Sequence, residues 1–126
     1  MKKSFVSVPM KGRTEEEIKA SIQKMKKIAE IYEGEELELI DSYIEDNPHK
    51  DSKEAVWYLG ESIKKLAQAD VFIGIQEHYD WNGCHVEFVV KQEYGIKSYT
   101  IPATYVIDDY NTLLRKLHPF CNDAMF

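Results

Sequence analysis

Apolar positions along the chain alternate between two periods. Ser4 to Val8 (SFVSV) is a short β-rich run that ends at Pro9, and the turn-like MKGR follows. Thr14 with Glu17 three positions on forms a capping-box signature. The helix it opens carries Ile18, Ile22, Met25, Ile28, Ala29 and Tyr32 at spacings of three and four, and stops at Gly34. Leu37 to Ile40 reads as a second strand ending at Asp41. The polar stretch from Ser42 to Lys53, broken at Asn47-Pro48, is too long for a tight turn and reads as a binding or lid loop. Helical spacing returns from Glu54 to Ala69 through Val56, Leu59, Ile63, Leu66 and Ala67. Val71 to Ile75 (VFIGI) is almost continuously apolar, as a strand covered on both faces must be. An irregular segment, Glu77 to Gly83, leads to a short helix from His85 to Tyr94 closed by Gly95. Lys97 to Ile101 is a fourth strand stopped by Pro102, and Asp108 is placed to cap a last helix bearing Tyr110, Leu113, Leu114 and Leu117.

The order βαβαβαβα predicts an α/β fold: a small doubly wound, Rossmann/flavodoxin-like parallel sheet of four or five strands with helices on both faces. A chain of 126 residues suits one domain, 1–126, with 103–126 as a helical tail. Leu114, Leu117, Phe120, Met125 and Phe126 make that tail apolar, so it is expected to dock on its own domain or at a subunit contact. In open α/β sheets ligands bind beyond the carboxyl ends of the strands. Here that rule selects residues 9–13, 41–51, 76–83 and the region after Ile101.

Composition narrows the partners. With 44% hydrophobic and 30% charged residues and no apolar run near the roughly 18 residues that span a bilayer, neither a membrane protein nor a disordered one is expected. The N-terminal MKKSFVSVPM has too short an apolar part for a secretory leader, and a cytoplasmic location is expected. Sixteen basic against twenty-two acidic residues, net −6, oppose binding to a nucleic-acid polymer. Lys2, Lys3, Lys11 and Arg13 still leave local positive charge for a small anion. Cys84 and Cys121 have no CxxC or CxxH companion and are expected to be reduced thiols. Glu77, His78, Asp80, Cys84 and His85 lie close together, but their spacing matches no zinc pattern; neither a metal nor a cofactor is expected.

The chemistry centres on GCHVEF, residues 83–88, where Glu87 stands among Val86, Phe88, Val89 and Val90. Placed in the first turn of a helix that follows the central strand, its carboxylate points back to the rim. The helix N-terminus favours its ionised form, and apolar neighbours raise its reactivity by excluding water. Such a carboxylate serves as a nucleophile or oxocarbenium stabiliser in glycosyl chemistry. The plainer reading is an exposed first-turn acid. Tyr79 and Trp81 either stack a base or pack under a loop; Trp57 and Tyr58 read as core or interface.

Three blocks, FVSVPMKGRTEE, LAQADVFIGI and GCHVEFVVKQEYGIKSY, together resemble the nucleoside 2-deoxyribosyltransferase-like family, which includes deoxynucleoside 5'-monophosphate N-glycosidases. They span most of residues 4 to 101. Gly83, Glu87, Gly95 and Lys97 match the family order of glycine, catalytic glutamate, helix, glycine and basic residue. The resemblance implies that Glu87 attacks or stabilises the sugar C1' as the base departs. It also implies a small nucleoside or nucleotide ligand and assembly as dimers or larger. The turn with Pro9, Met10, Gly12 and Arg13 resembles the one that receives a 5'-phosphate; alternatively Gly12 only makes the turn and Arg13 is solvated. The further aspartate of family transferases is either Asp80 or absent. With the rim residues Asp41, Tyr43, Tyr79, Trp81, Asn82 and Gly83, these form the candidate site. Two functions are expected from different classes: an enzyme acting on an N-glycosidic bond, or a protein of phage anti-defence type that sequesters a nucleotide or cyclic ADP-ribose-type signal without turnover.

Overall fold

The apolar run VFIGI sits at the centre of the sheet, and the rest of the fold is arranged around it. The computed structural model describes residues 1–41, 44, 47, 48, 50 and 52–117. Their order is β1 (Lys3–Val6), α1 (Glu15–Glu33), β2 (Glu38–Leu39), α2 (Glu54–Leu66), β3 (Val71–Ile75), a 3-10 turn (His78–Asp80), α3 (Asn82–Glu93), β4 (Lys97–Ile101), a second 3-10 turn (Ala103–Tyr105) and α4 (Tyr110–Leu117). All pairings are parallel and the strand order is β2-β1-β3-β4. This is an α/β protein with a small Rossmann/flavodoxin-like fold. No described helix is long and apolar enough to cross a membrane.

Alternation along the central strands sends side chains to two apolar layers. Val71, Ile73 and Ile75 pack with Ile22, Met25 and Ala29 of α1 and with Val106 and Leu113 from later in the chain. Phe72 points the other way, stacks on Phe5 with ring centroids 6.0 Å apart, and meets Leu66 of α2 and Phe88 of α3. Helices therefore cover both faces. Gly74 shares the Phe72 side of β3, and a Cβ built there falls 2.6 Å from the Phe72 ring. Gly74→Ala is expected to lower stability by about 1–3 kcal/mol through overpacking, read as a lower urea midpoint with an unchanged slope.

Local signals account for the helix ends. The Thr14 side chain accepts from the Glu17 N–H, Glu17 accepts from the Thr14 N–H, and Gly34 closes α1 at φ 78. At the end of the sheet opposite the site, Glu33, with a side chain 1% exposed, accepts from Lys2, Lys97 and Tyr99, tying the end of α1 to the start of β1 and to β4. An open depression of about 800 Å³ beside it is bordered by charged side chains such as Lys2 and Lys97 and carries no grouping suited to catalysis.

Boundaries differ from expectation in the first two strands, Lys3–Val6 rather than 4–8 and Glu38–Leu39 rather than 37–40, and at three helix ends. α2 ends at Leu66 rather than Ala69, its last turn tightening through Gln68 N–H to Lys65 C=O and Ala69 N–H to Leu66 C=O. α3 begins at Asn82 rather than His85: the Trp81 N–H closes the preceding 3-10 turn on His78 C=O, which leaves Trp81 extended as the N-cap. α4 starts directly after Asp109, which adopts φ 53, so Asp108 lies one residue further out, 3.7 Å from Lys24 Nζ. The tail expectation from residue 118 onward falls outside the described residues.

Candidate active site

The chain order reverses between β1 and β3, and a cavity of about 560 Å³ opens where these two strands end. β1 leads into Val8, Pro9, Met10 and Lys11 on one wall; the segment after β3 supplies Trp81, Asn82, Gly83, Cys84 and Glu87 on another. α2 contributes Ala55, Tyr58, Leu59, Ser62 and Lys65, one stripe of the helix at spacings of three and four, and Asp41 and Ile44 complete the rim. Three of the four segments selected by the strand-end rule thus meet at one cavity. The region after Ile101 borders a separate depression that includes Ile107 and Asp108.

Glu87 is 8% exposed and lines this cavity. It lies in the second turn of α3, not the first, so the helix N-terminus is a turn away and its field is weak there. Two hydroxyls hold the carboxylate instead. Ser7 Oγ donates to Oε1 at 2.7 Å and Ser62 Oγ donates to Oε2 at 2.5 Å. Ser7 is itself fixed because its N–H donates to Ile73 C=O on β3 at 2.8 Å. Burial raises the Glu87 pKa and the two serine bonds, Ser62 then Ser7, oppose that rise. The result is a poorly solvated acid whose charged form is held by two oriented donors. Cys84, one turn earlier, is buried, and desolvation pushes its thiol up to about 12, which leaves it protonated and no nucleophile at neutral pH.

Of the residues singled out from sequence, Pro9, Met10, Asp41, Trp81, Asn82, Gly83 and Glu87 come together at the cavity. Gly12 at φ 76 makes the turn, closed by Arg13 N–H to Met10 C=O. Arg13 does not line the cavity. Its guanidinium donates to Pro9 C=O (2.9 Å), Glu17 C=O (3.1 Å) and Ser21 Oγ (2.5 Å), and Ser21 passes the brace on to Val106 C=O. Arg13→Lys is therefore expected to lower unfolding stability by about 1–3 kcal/mol, measured in denaturant, while leaving ligand affinity within twofold. Asp80 stands outside the cavity and accepts from the Tyr110 hydroxyl at 3.1 Å. Tyr79 is 68% exposed and lies against the His78 ring. Tyr43 is outside the described residues.

Ser7, Ser62, Tyr58 and Lys65 belong to the site without having been picked from sequence, and Lys11, expected to offer charge to a small anion, joins them. Ser62 had a readable signal, a hydroxyl inside the apolar helical stripe of Leu59, Ile63 and Leu66. Among the described residues neither Lys11 nor Lys65 pairs with a carboxylate, so the cavity carries two cations open to an anionic ligand. No group of three or more metal-ligating side chains occurs among the described residues. Comparison with family models, curated proteins and solved structures returns no match, so the assignment of the site rests on the chain's own geometry.

Proposed function

We propose that this protein cleaves or transfers at the N-glycosidic bond of a nucleoside or nucleoside 5'-monophosphate, with Glu87 acting on the sugar C1'. The observation that carries the reading is a buried carboxylate, both oxygens held by serine hydroxyls, lining a cavity with room for a nucleotide. In the first step a Glu87 oxygen bonds to C1' as the C1'–N bond breaks; that bond's electron pair leaves with the base, which takes up a proton from solvent water. Water or a second base then attacks C1' and frees the carboxylate. Exclusion of water sharpens the nucleophile, and the serine donors keep it ionisable. The apolar wall of Leu59, Ile40 and Tyr58 suits a base, and Lys11 and Lys65 supply counter-charge for a 5'-phosphate.

One observation favours a second reading. Asp80, the expected partner acid, is turned to Tyr110 and away from the cavity, and loss of that acid's help to the leaving base favours binding a nucleotide without turning it over.

Incubation with nucleosides, deoxynucleosides, their 5'-monophosphates and cyclic ADP-ribose isomers, followed by chromatography, separates the two. Release of free base, faster from the monophosphates, is the expected result. Recovery of intact ligand that raises the thermal midpoint transfers the case to sequestration. Neither base release nor a thermal shift with any compound overturns both.

A further inference from the structure

The wall segment Trp81–Cys84 is bracketed by two histidines that touch. His78, in the 3-10 turn, and His85, on α3, bring their Nδ1 atoms to 3.1 Å with rings parallel within 6°. His78 is buried and also stacks on Phe88, ring centroids 3.7 Å apart, one residue beyond Glu87. His85 is exposed to solvent.

Two imidazole nitrogens at this distance need one proton on the line between them. The neutral and singly charged pairs supply it; the doubly charged pair sets two N–H groups face to face. We propose that His78 and His85 form a proton-operated clasp: with one shared proton they hold the 3-10 turn on α3, and full protonation parts them and loosens the wall carrying Trp81, Asn82 and Gly83.

Among the described residues no carboxylate pairs with the clasp. From α3, Lys91 sets its ammonium 4.2 Å from the Phe88 centroid and donates to Ser98 Oγ on β4. The carboxylates flanking His78 are engaged elsewhere, Glu77 with the Ala103 N–H and Asp80 with the Tyr110 hydroxyl of α4, and Tyr79 adds only a neutral ring. Burial, then His85, then Lys91 lower the His78 pKa. A lowered native pKa gives stability that is complete above the ordinary histidine value of about 6.5 and is lost as pH falls through the native value. The bracketed segment also carries a bias toward opening. The Trp81 indole N–H is buried without an acceptor among the described residues, and such a donor gains a partner when water reaches it.

The clasp stands apart from the glycosidic chemistry, and its test uses no substrate. Trp57→Phe leaves Trp81 as the single tryptophan, and Glu87→Gln silences that carboxyl's own titration. In this background Trp81 emission, followed from pH 8 to pH 5, is expected to shift to the red as the histidines charge. His85→Asn, which cannot take the second proton, is expected to abolish the shift. His85→Lys, a fixed charge at an exposed position, is expected to show the shifted emission already at pH 8. Far-UV circular dichroism confirms that each variant is folded. An unchanged titration in His85→Asn, or His85→Lys emission at pH 8 equal to the parent's, overturns the clasp and leaves the reading of Glu87 untouched.

Discussion

Glu87→Gln is expected to reduce base release by roughly a thousandfold or more while raising the thermal midpoint at neutral pH. On the proposed mechanism the loss follows from removing the buried carboxylate that lines the cavity. The gain in stability follows from the same burial that makes the acid reactive. Burial holds the Glu87 pKa above its ordinary value. A raised native pKa gives stability that is present below the ordinary carboxyl range and is lost as pH rises through the native value. The wild-type fold therefore carries an unfavourable charge at pH 7. Glutamine keeps the shape, accepts from one serine and donates to the other, and removes that charge. A rise of a few degrees, the effect of about 1 kcal/mol in a domain of this length, is expected at pH 7. It should vanish by about pH 3, below the ordinary carboxyl value, where wild-type Glu87 is protonated in both states. Scanning calorimetry at both pH values, beside the chromatographic assay, reads the two effects together. Lost activity with a lower midpoint at pH 7 would mark Glu87 as a structural acid; unchanged base release would remove it from the chemistry.

Much of this arrangement could be read along the chain because its causes are local. Thr14, Glu17 and Gly34 bound α1 with no help from the rest of the fold, and VFIGI declares a doubly covered strand by composition alone. The parallel sheet follows from the alternation of those elements. What could not be read depends on contacts between distant residues. Ser7 reaches Glu87 across 80 residues and Ser62 across 25, so nothing near Glu87 announces the two donors. Arg13 looked available to an anion because its acceptors are backbone carbonyls and a serine hydroxyl, groups that leave no charge signature. Asn82-Gly83 has the composition of a turn, yet both residues are helical, because the 3-10 turn before them delivers Trp81 already extended as a cap. The stretch that misled sequence reasoning is a wall of the cavity. Local preference and tertiary demand part company where the site is built.

The serine pair provides the sharper trial of the mechanism, since it tests the state of the carboxylate and not merely its presence. Each hydroxyl donates most strongly to the charged form of Glu87, and a hydrogen bond to a charged group contributes about 1.5–3 kcal/mol. Ser7→Ala or Ser62→Ala therefore leaves burial unopposed on one oxygen and moves the Glu87 pKa further up. Below the native Glu87 pKa each change is expected to lower kcat/KM about tenfold to a hundredfold. As pH rises and the carboxylate ionises again, the deficit should shrink, so the acid limb of the profile moves to higher pH while the plateau is largely kept. Because both donors act on one carboxylate, the double variant should depart from the sum of the singles, more than two distant sites would. Alanine at Ser7 removes one oxygen from a tightly held position, and alanine at Ser62 favours its helix, so neither change threatens the fold. A loss equal at every pH would instead assign the serines to substrate contact, and no loss anywhere on the acid limb would show that Glu87 does not need them to hold its charge.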